Sequence, residues 1–157
     1  METENHEYYV SPEVAKLLKE AGFDRKITSY YVRYYEGDGN DDSTPTDEFR
    51  LHISDNTYCT DYNNTPLTYI NGILHKLSAP TLEVAQRWLR EVKGIHICVK
   101  PNEATANCKY FVTVIVNDTK WGNVQDDNKK TIMFDTYEEA QESGINKALD
   151  IILEAAE

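Results

Sequence analysis

Apolar and polar positions alternate in two distinct periods along this chain, and the switches between them predict helices and strands in turn. SPEVAKLLKEAG, residues 11–22, has the helical period: Val14, Leu17, Leu18 and Ala21 form its apolar stripe. Ser11 suits the cap and Pro12 the first helical position. Gly22 ends the helix, and Phe23 is expected to pack back onto the core. RKITSYYVRYY, residues 25–35, then alternates as a strand, with Tyr30, Val32 and Tyr34 on one face and Ile27, Tyr31, Arg33 and Tyr35 on the other. EFRLHIS, residues 48–54, predicts a second strand, with Phe49, Leu51 and Ile53 inward and Arg50, His52 and Ser54 outward. GILHKLS, residues 72–78, predicts a third.

The most regular stretch is APTLEVAQRWLREVKGIHICVKP, residues 79–101. Thr81 can cap a helix in which Leu82, Ala85, Leu89 and Val92 share a stripe widened by Trp88. Glu83 places a negative charge at the positive end of the helix dipole. Gly94 can take the left-handed conformation that stops a helix. Ile95, Ile97 and Val99 then alternate with His96, Cys98 and Lys100 as a strand with one buried face. A helix joined to a strand by one glycine must fold back, so Trp88 is expected against that sheet.

KYFVTVIVN, residues 109–117, is apolar on both faces and predicts a central strand, or one with a face in an oligomer contact. DTKWGNVQDDNKK reads as a polar loop and TIMFD, residues 131–135, as the next strand. Thr136 and Glu139 make a capping box for the last helix. Its buried face is Ala140, Gly144, Ala148 and Ile152 with Ile145 and Leu149, and its end is apolar over a wide arc, a pattern that admits a homodimer.

The expected fold is therefore α+β: a largely antiparallel sheet of about six strands with three helices, in a single domain over residues 1–157. Three helix starts look alike, at Ser11, Thr81 and Thr136, and suggest αβββ pseudo-repeat halves at 11–78 and 81–157. Helix, three strands, helix is also the order of double-stranded RNA-binding domains. Those need a basic start to the final helix, and here it is Tyr137-Glu138-Glu139, which argues against that reading.

Charge narrows the function classes. The chain has 157 residues and a formal net charge of −11, unfavourable for direct nucleic-acid binding or an anionic membrane surface. It leaves a basic protein partner, or mimicry of DNA. The first residues, METENHEYYV, have neither the basic nor the apolar region of a signal segment, and no apolar run is long enough to span a bilayer. Three cysteines, Cys59, Cys98 and Cys108, fit a reducing compartment. A cytoplasmic protein is expected.

No phosphate loop, nucleophile elbow or HExxH helix is present, so no catalytic residue, metal or cofactor is predicted and the chain is not expected to be an enzyme. The loop at 36–47 echoes a calcium loop through Asp38, Asn40 and Asp42 but has Phe49 where the bidentate Glu belongs. His96, Cys98 and Cys108 lack a fourth ligand for zinc. The long stretch 55–72, rich in Asn, Thr and Tyr, reads as a loop of the kind that often carries function. The candidate binding residues are Arg33 in the Tyr-rich strand, with Arg50 and His52 on the outward face of the next, because Arg grips phosphate and Tyr stacks a base.

YYVSPEVAKLLKEAGFD, APTLEVAQRWLREVKGIHICV and FDTYEEAQESGINKALDIIL together resemble a family of small uncharacterised proteins encoded by phages and integrated mobile elements of gut bacteria. The blocks cover under half the chain but reach both ends. The resemblance implies an accessory protein of a bacterial cytoplasm and carries over no activity or site residue. The expected function is a non-catalytic phage-type accessory binding protein that contacts a protein of the bacterial host. The alternatives are a small-ligand protein that sequesters a nucleotide signal, and an acidic DNA mimic.

Overall fold

The computed structural model describes residues 8–36, 44–54, 59–64, 73–104, 107–117 and 120–156. The calcium-like positions Asp38, Asn40 and Asp42 and much of the 55–72 stretch lie outside them. The elements run α1 (Pro12–Glu20), β1 (Ser29–Glu36), β2 (Thr44–Ile53), β3 (Ile73–Ser78), α2 (Leu82–Lys93), β4 (Ile95–Asn102), β5 (Lys109–Val116), β6 (Lys120–Asn123) and α3 (Tyr137–Ala155). This is the α+β class the pattern predicts, with six antiparallel strands divided between two sheets of three. The chain falls into two compact units, residues 11–80 and residues 81–157 with 1–10.

Each helix begins where a hydroxyl can take up a free amide of the first turn. Ser11 Oγ accepts from Val14 N at 3.3 Å, Thr81 Oγ from Val84 N at 3.3 Å, and Thr136 Oγ from Glu139 N at 3.1 Å. Gly94 ends α2 at φ 67°, and its N–H donates to the Leu89 carbonyl.

In the 11–80 unit the strand order is β2-β1-β3, so β1 is central. Tyr31 and Val32, on opposite faces of β1, are both buried. Val14, Ala15 and Leu18 of α1 are buried, as is Phe23 just after it. Lys16 Nζ lies 4.8 Å from the Phe49 ring centroid, which places α1 over the face that carries Phe49 and Tyr31. β2 departs from its expected burial: Leu51 is 39% exposed and Ile53 56%. β2 is an edge strand, paired on one side alone, so its apolar residues have fewer neighbours than alternation implies. Asn63 ties residues 59–64 to this unit. Its Nδ2 donates to the Phe23 carbonyl and its Oδ1 accepts from Ser78 N, both at 3.0 Å.

In the other unit β4, β5 and β6 form an antiparallel meander with β5 central. The sixth strand is KWGN at 120–123, not the predicted 131–135, which makes single bridges from Thr131 to Gln125 and from Phe134 to Tyr110. The polar composition of 118–130 reads as loop, but pairing with the free edge of β5 makes residues 120–123 a strand. The two halves also differ in winding, β2-β1-β3 against β4-β5-β6, so the likeness of their helix starts does not extend to their sheets.

Trp88 is 1% exposed, and Leu89, Ile95, Ile97, Val112, Val114, Ile145, Ala148 and Leu149 are buried in the same unit. Val92, read as part of the α2 stripe, is 52% exposed. It lies in the last turn of α2, whose buried residues end at Leu89. α3 approaches the sheet at Gly144, where an added Cβ would stand 2.6 Å from Val112 Cγ2 and 2.7 Å from Ile97 Cγ2. Among the described residues no helix is long and apolar enough to cross a membrane.

Trp88→Ala is expected to cost about 3–5 kcal/mol in urea unfolding, as for other fully buried large side chains. Gly144→Ala should lower stability by about 1–2 kcal/mol, because overpacking outweighs the gain in helix propensity. Asp150→Ala on the exposed side of α3 should stay within about 0.5 kcal/mol of the parent.

Candidate functional site

The residues singled out from the sequence sit on β1 and β2. His52 pairs with Tyr30 and Arg50 with Val32, so by register the side chains of Arg50 and His52 share the sheet face of Tyr30. The His52 ring stacks on Tyr30 with centroids 5.6 Å apart and an interplanar angle of 12°. Lys76 of β3, opposite Val32, brings its Nζ to 5.0 Å from the Tyr30 centroid. Tyr62 packs on the same ring at 4.4 Å. Arg33 pairs with Phe49, one position out of phase with Arg50, and its side chain lies outside the described ones. The structure thus brings His52 and Lys76 onto the Tyr30 ring and places Arg50 on the same sheet face. Lys76 was missed in the sequence because the pairing of β3 with β1 cannot be read from alternation.

A more enclosed site lies in the other unit, where α2 and α3 begin at the same end of the sheet. Tyr8, Thr81, Leu82, Glu83, Tyr137, Glu138 and Gln141 line a cavity of about 230 Å3. Each wall has a local cause. Tyr8 is held by its backbone: its carbonyl accepts from Leu82 N at 2.9 Å, and Tyr9 bridges to Thr81. Tyr137 meets Tyr110 edge-on, with centroids 6.0 Å apart at 85°. Glu83 and Glu138 are first-turn acids of the two helices.

Behind these groups runs an amide relay. Gln141 Nε2 donates to Gln86 Oε1 at 2.7 Å, and Gln86 Nε2 donates to the Ile97 carbonyl at 2.8 Å. A carbonyl can only accept, so Gln86 must turn its NH2 to Ile97 and its oxygen to Gln141. Gln141 must then offer its own NH2 to Gln86, which leaves Oε1 as the acceptor the relay does not use. Gln141 is 3% exposed and lines the cavity.

The lining combines acids, an amide and rings with Thr81 and Leu82. Glu83, Glu138 and Gln141 line the cavity together with Tyr8 and Tyr137. The positive helix ends oppose the two acids with about half a unit of charge each, less than the full negative charge each glutamate supplies. The cavity is smaller than the roughly 300–1,000 Å3 of sites that enclose drug-sized ligands, so it suits a group of side-chain size. A second hollow, beside the end of α3, is bordered by Val114, Val116, Gly122, Asn123, Lys147, Ile151 and Ala155, and gathers no comparable set of acceptors.

The sequence held a signal for this cavity in the like helix starts, Thr-Leu-Glu and Thr-Tyr-Glu. That signal reads as capping until the two starts are known to lie side by side. His96 and Cys98 share a face of β4 by alternation, and Cys108 is exposed in the turn before β5. Among the described residues no three His, Cys, Asp or Glu side chains group to hold a metal ion. No family model matches this chain, nor does any curated protein or solved structure.

Gln86→Leu and Gln141→Leu should each destabilise the protein by about 1–3 kcal/mol, since each strands a polar partner. The double variant should lose less than the sum. A double-mutant cycle by urea unfolding checks this through a coupling of at least about 0.5 kcal/mol.

Proposed function

We propose that this chain is a non-catalytic binding protein acting through protein contacts. In this reading it is a phage-type accessory protein of a bacterial cytoplasm that presents the Tyr8–Tyr137 cavity to a basic surface of a host protein. The observation that carries it is the conjunction of Glu83 and Glu138 with Tyr8 and Tyr137 around one concavity, on a chain of net charge −11. Acidic surfaces steer basic partners at long range, and rings held in place lower the entropic cost of contact. Partly exposed Tyr8 and Tyr137 at the mouth are of the residue type enriched at protein interfaces.

A second reading rests on the Tyr30 face of the other unit. Arg50, His52 and Lys76 on one sheet face with Tyr30 suit a small phosphate-bearing ligand with a planar base, as in a nucleotide signal.

Affinity capture from bacterial lysate, run in parallel with the parent and a Glu83→Gln/Glu138→Gln variant, tests the first reading. The parent should retain a specific protein that 0.5 M salt releases and the variant fails to hold. Identical capture by both, or none at low salt, would sink it. For the second reading, a nucleotide panel should raise the melting temperature of the parent, and Arg50→Ala and Lys76→Ala should abolish the shift while Arg33→Ala reduces it less. A flat panel removes that reading.

A further inference from the structure

We propose that the outer edge of β2 is a self-association surface, where a second copy of this chain adds its own β2 antiparallel and joins the two β2-β1-β3 sheets into one. The inference stands apart from both readings above and rests on the backbone of the 11–80 unit. Hydrogen bonding between antiparallel strands alternates from pair to pair. Ser54 N donates to the Thr28 carbonyl at 2.7 Å, one step beyond the Ser29–Ile53 pair. Tyr30–His52 and Val32–Arg50 are therefore bonded pairs, and the N–H and C=O of Leu51 and Ile53 face away from β1. On its other side β1 bonds β3 in the opposite phase, as Ala79 N donating to the Ser29 carbonyl at 3.1 Å shows. β2 is the last strand on its side of the sheet, and the side chains of Leu51 and Ile53 are 39% and 56% exposed. Outward backbone groups and wet apolar side chains thus coincide at the same residues, which is what an added strand needs.

The other sheet edges are blunted. On β3, the outward Ser78 N donates to Asn63 Oδ1 at 3.0 Å. On β4, the bond from Asn117 N to the Gly94 carbonyl sets the phase, so Ile97 and Pro101 face outward. The Ile97 carbonyl accepts from Gln86 Nε2 at 2.8 Å, and Pro101 has no N–H to offer. β6 is four residues long. Residues 49–53 of β2 contain neither proline nor lysine. The occupant follows from the pattern there. Arg50-Leu51-His52-Ile53-Ser54 alternates polar and apolar about His52 and reads alike in both directions. A two-fold axis at His52 sets Leu51 of each copy opposite Ile53 of the other, and Arg50 opposite Ser54. Moving the axis to Arg50 would oppose two guanidiniums. A second copy therefore supplies matching apolar side chains by symmetry, whereas an unrelated extended peptide would satisfy the backbone alone. The Tyr30 faces of both copies then lie on one side of the joined sheet.

Sedimentation velocity and light scattering on the full chain, between about 1 μM and 1 mM, test this. The parent should reach the mass of two chains within that range. Leu51→Lys places a charge at the seam and should remove the dimer. Leu51→Pro should do the same, since it deletes an outward N–H and none that β1 uses. Both should keep the parent's far-ultraviolet circular dichroism. Leu51→Lys leaves the backbone unchanged and decides the outcome if Leu51→Pro loses that spectrum. Leu51→Cys and Ile53→Cys chains, mixed and oxidised, should give a disulfide between positions 51 and 53 in peptide maps, because Cα atoms of a bonded pair lie about 5.5 Å apart.

The inference is overturned if the parent stays monomeric throughout, if Leu51→Lys associates as the parent does, or if a dimeric sample yields no link between 51 and 53. A dimer that Leu51→Lys leaves intact and Ile151→Lys dissolves would overturn it in favour of the apolar end of α3.

Discussion

The seating of α3 on the β4-β5 sheet at Gly144 is the constraint from which the unit of residues 1–10 and 81–157 is built. With no side chain there, the helix comes close enough to touch Val112 and Ile97 on adjacent strands. Ile145, Ala148 and Leu149 then bury their side chains, and α3 lies beside α2, whose Trp88 and Leu89 are buried in the same unit. At that depth Gln141 meets Gln86, and Gln86 reaches the Ile97 carbonyl. A larger residue at 144 would push the helix outward and break this register. One small residue thus sets the spacing of two helices and the polar contact between them.

That contact has a consequence at the helix ends. Gln86 and Gln141 are each the fifth residue of their helix, and first-turn residues of both helices line one cavity, so the two helices start level with one another. Each start carries an acid in its first turn for local electrostatic reasons. Alone, such an acid is a helix stabiliser. Brought side by side and walled by Tyr8 and Tyr137, the two become an acidic concavity. The acidic character of the cavity is therefore a by-product of capping, gathered into one place by packing.

The 11–80 unit shows the same principle in a sheet. Its central strand is buried on both faces at Tyr31 and Val32. Its edge strand β2 leaves apolar residues partly in water on one face, while the other face collects Arg50 and His52 with Lys76. Asn63, from a stretch with no readable periodicity, bonds to the backbone at both Phe23 and Ser78. A short polar side chain does work there that hydrophobic pattern cannot announce.

Local physics settled much of this protein in one dimension. Cap hydroxyls, the Gly94 stop, the helical stripe with Trp88 and the alternation of Ile95, Ile97 and Val99 act within a few residues of one another, so they are legible in order along the chain. Strand partnership is not local. Nothing near Lys76 says that β3 returns to β1, nothing near Leu51 says that β2 will be an edge, and the polar run around Lys120–Asn123 becomes a strand because β5 has an edge to offer. The cavity belongs to this second kind. Tyr8, Glu83 and Glu138 are far apart in sequence and meet because packing at Gly144 brings the helix starts level. Sequence alone determined which segments could be helix or strand and which faces were apolar. Tertiary structure decided which edges paired and which charges became neighbours, because those depend on contacts whose partners lie many residues apart.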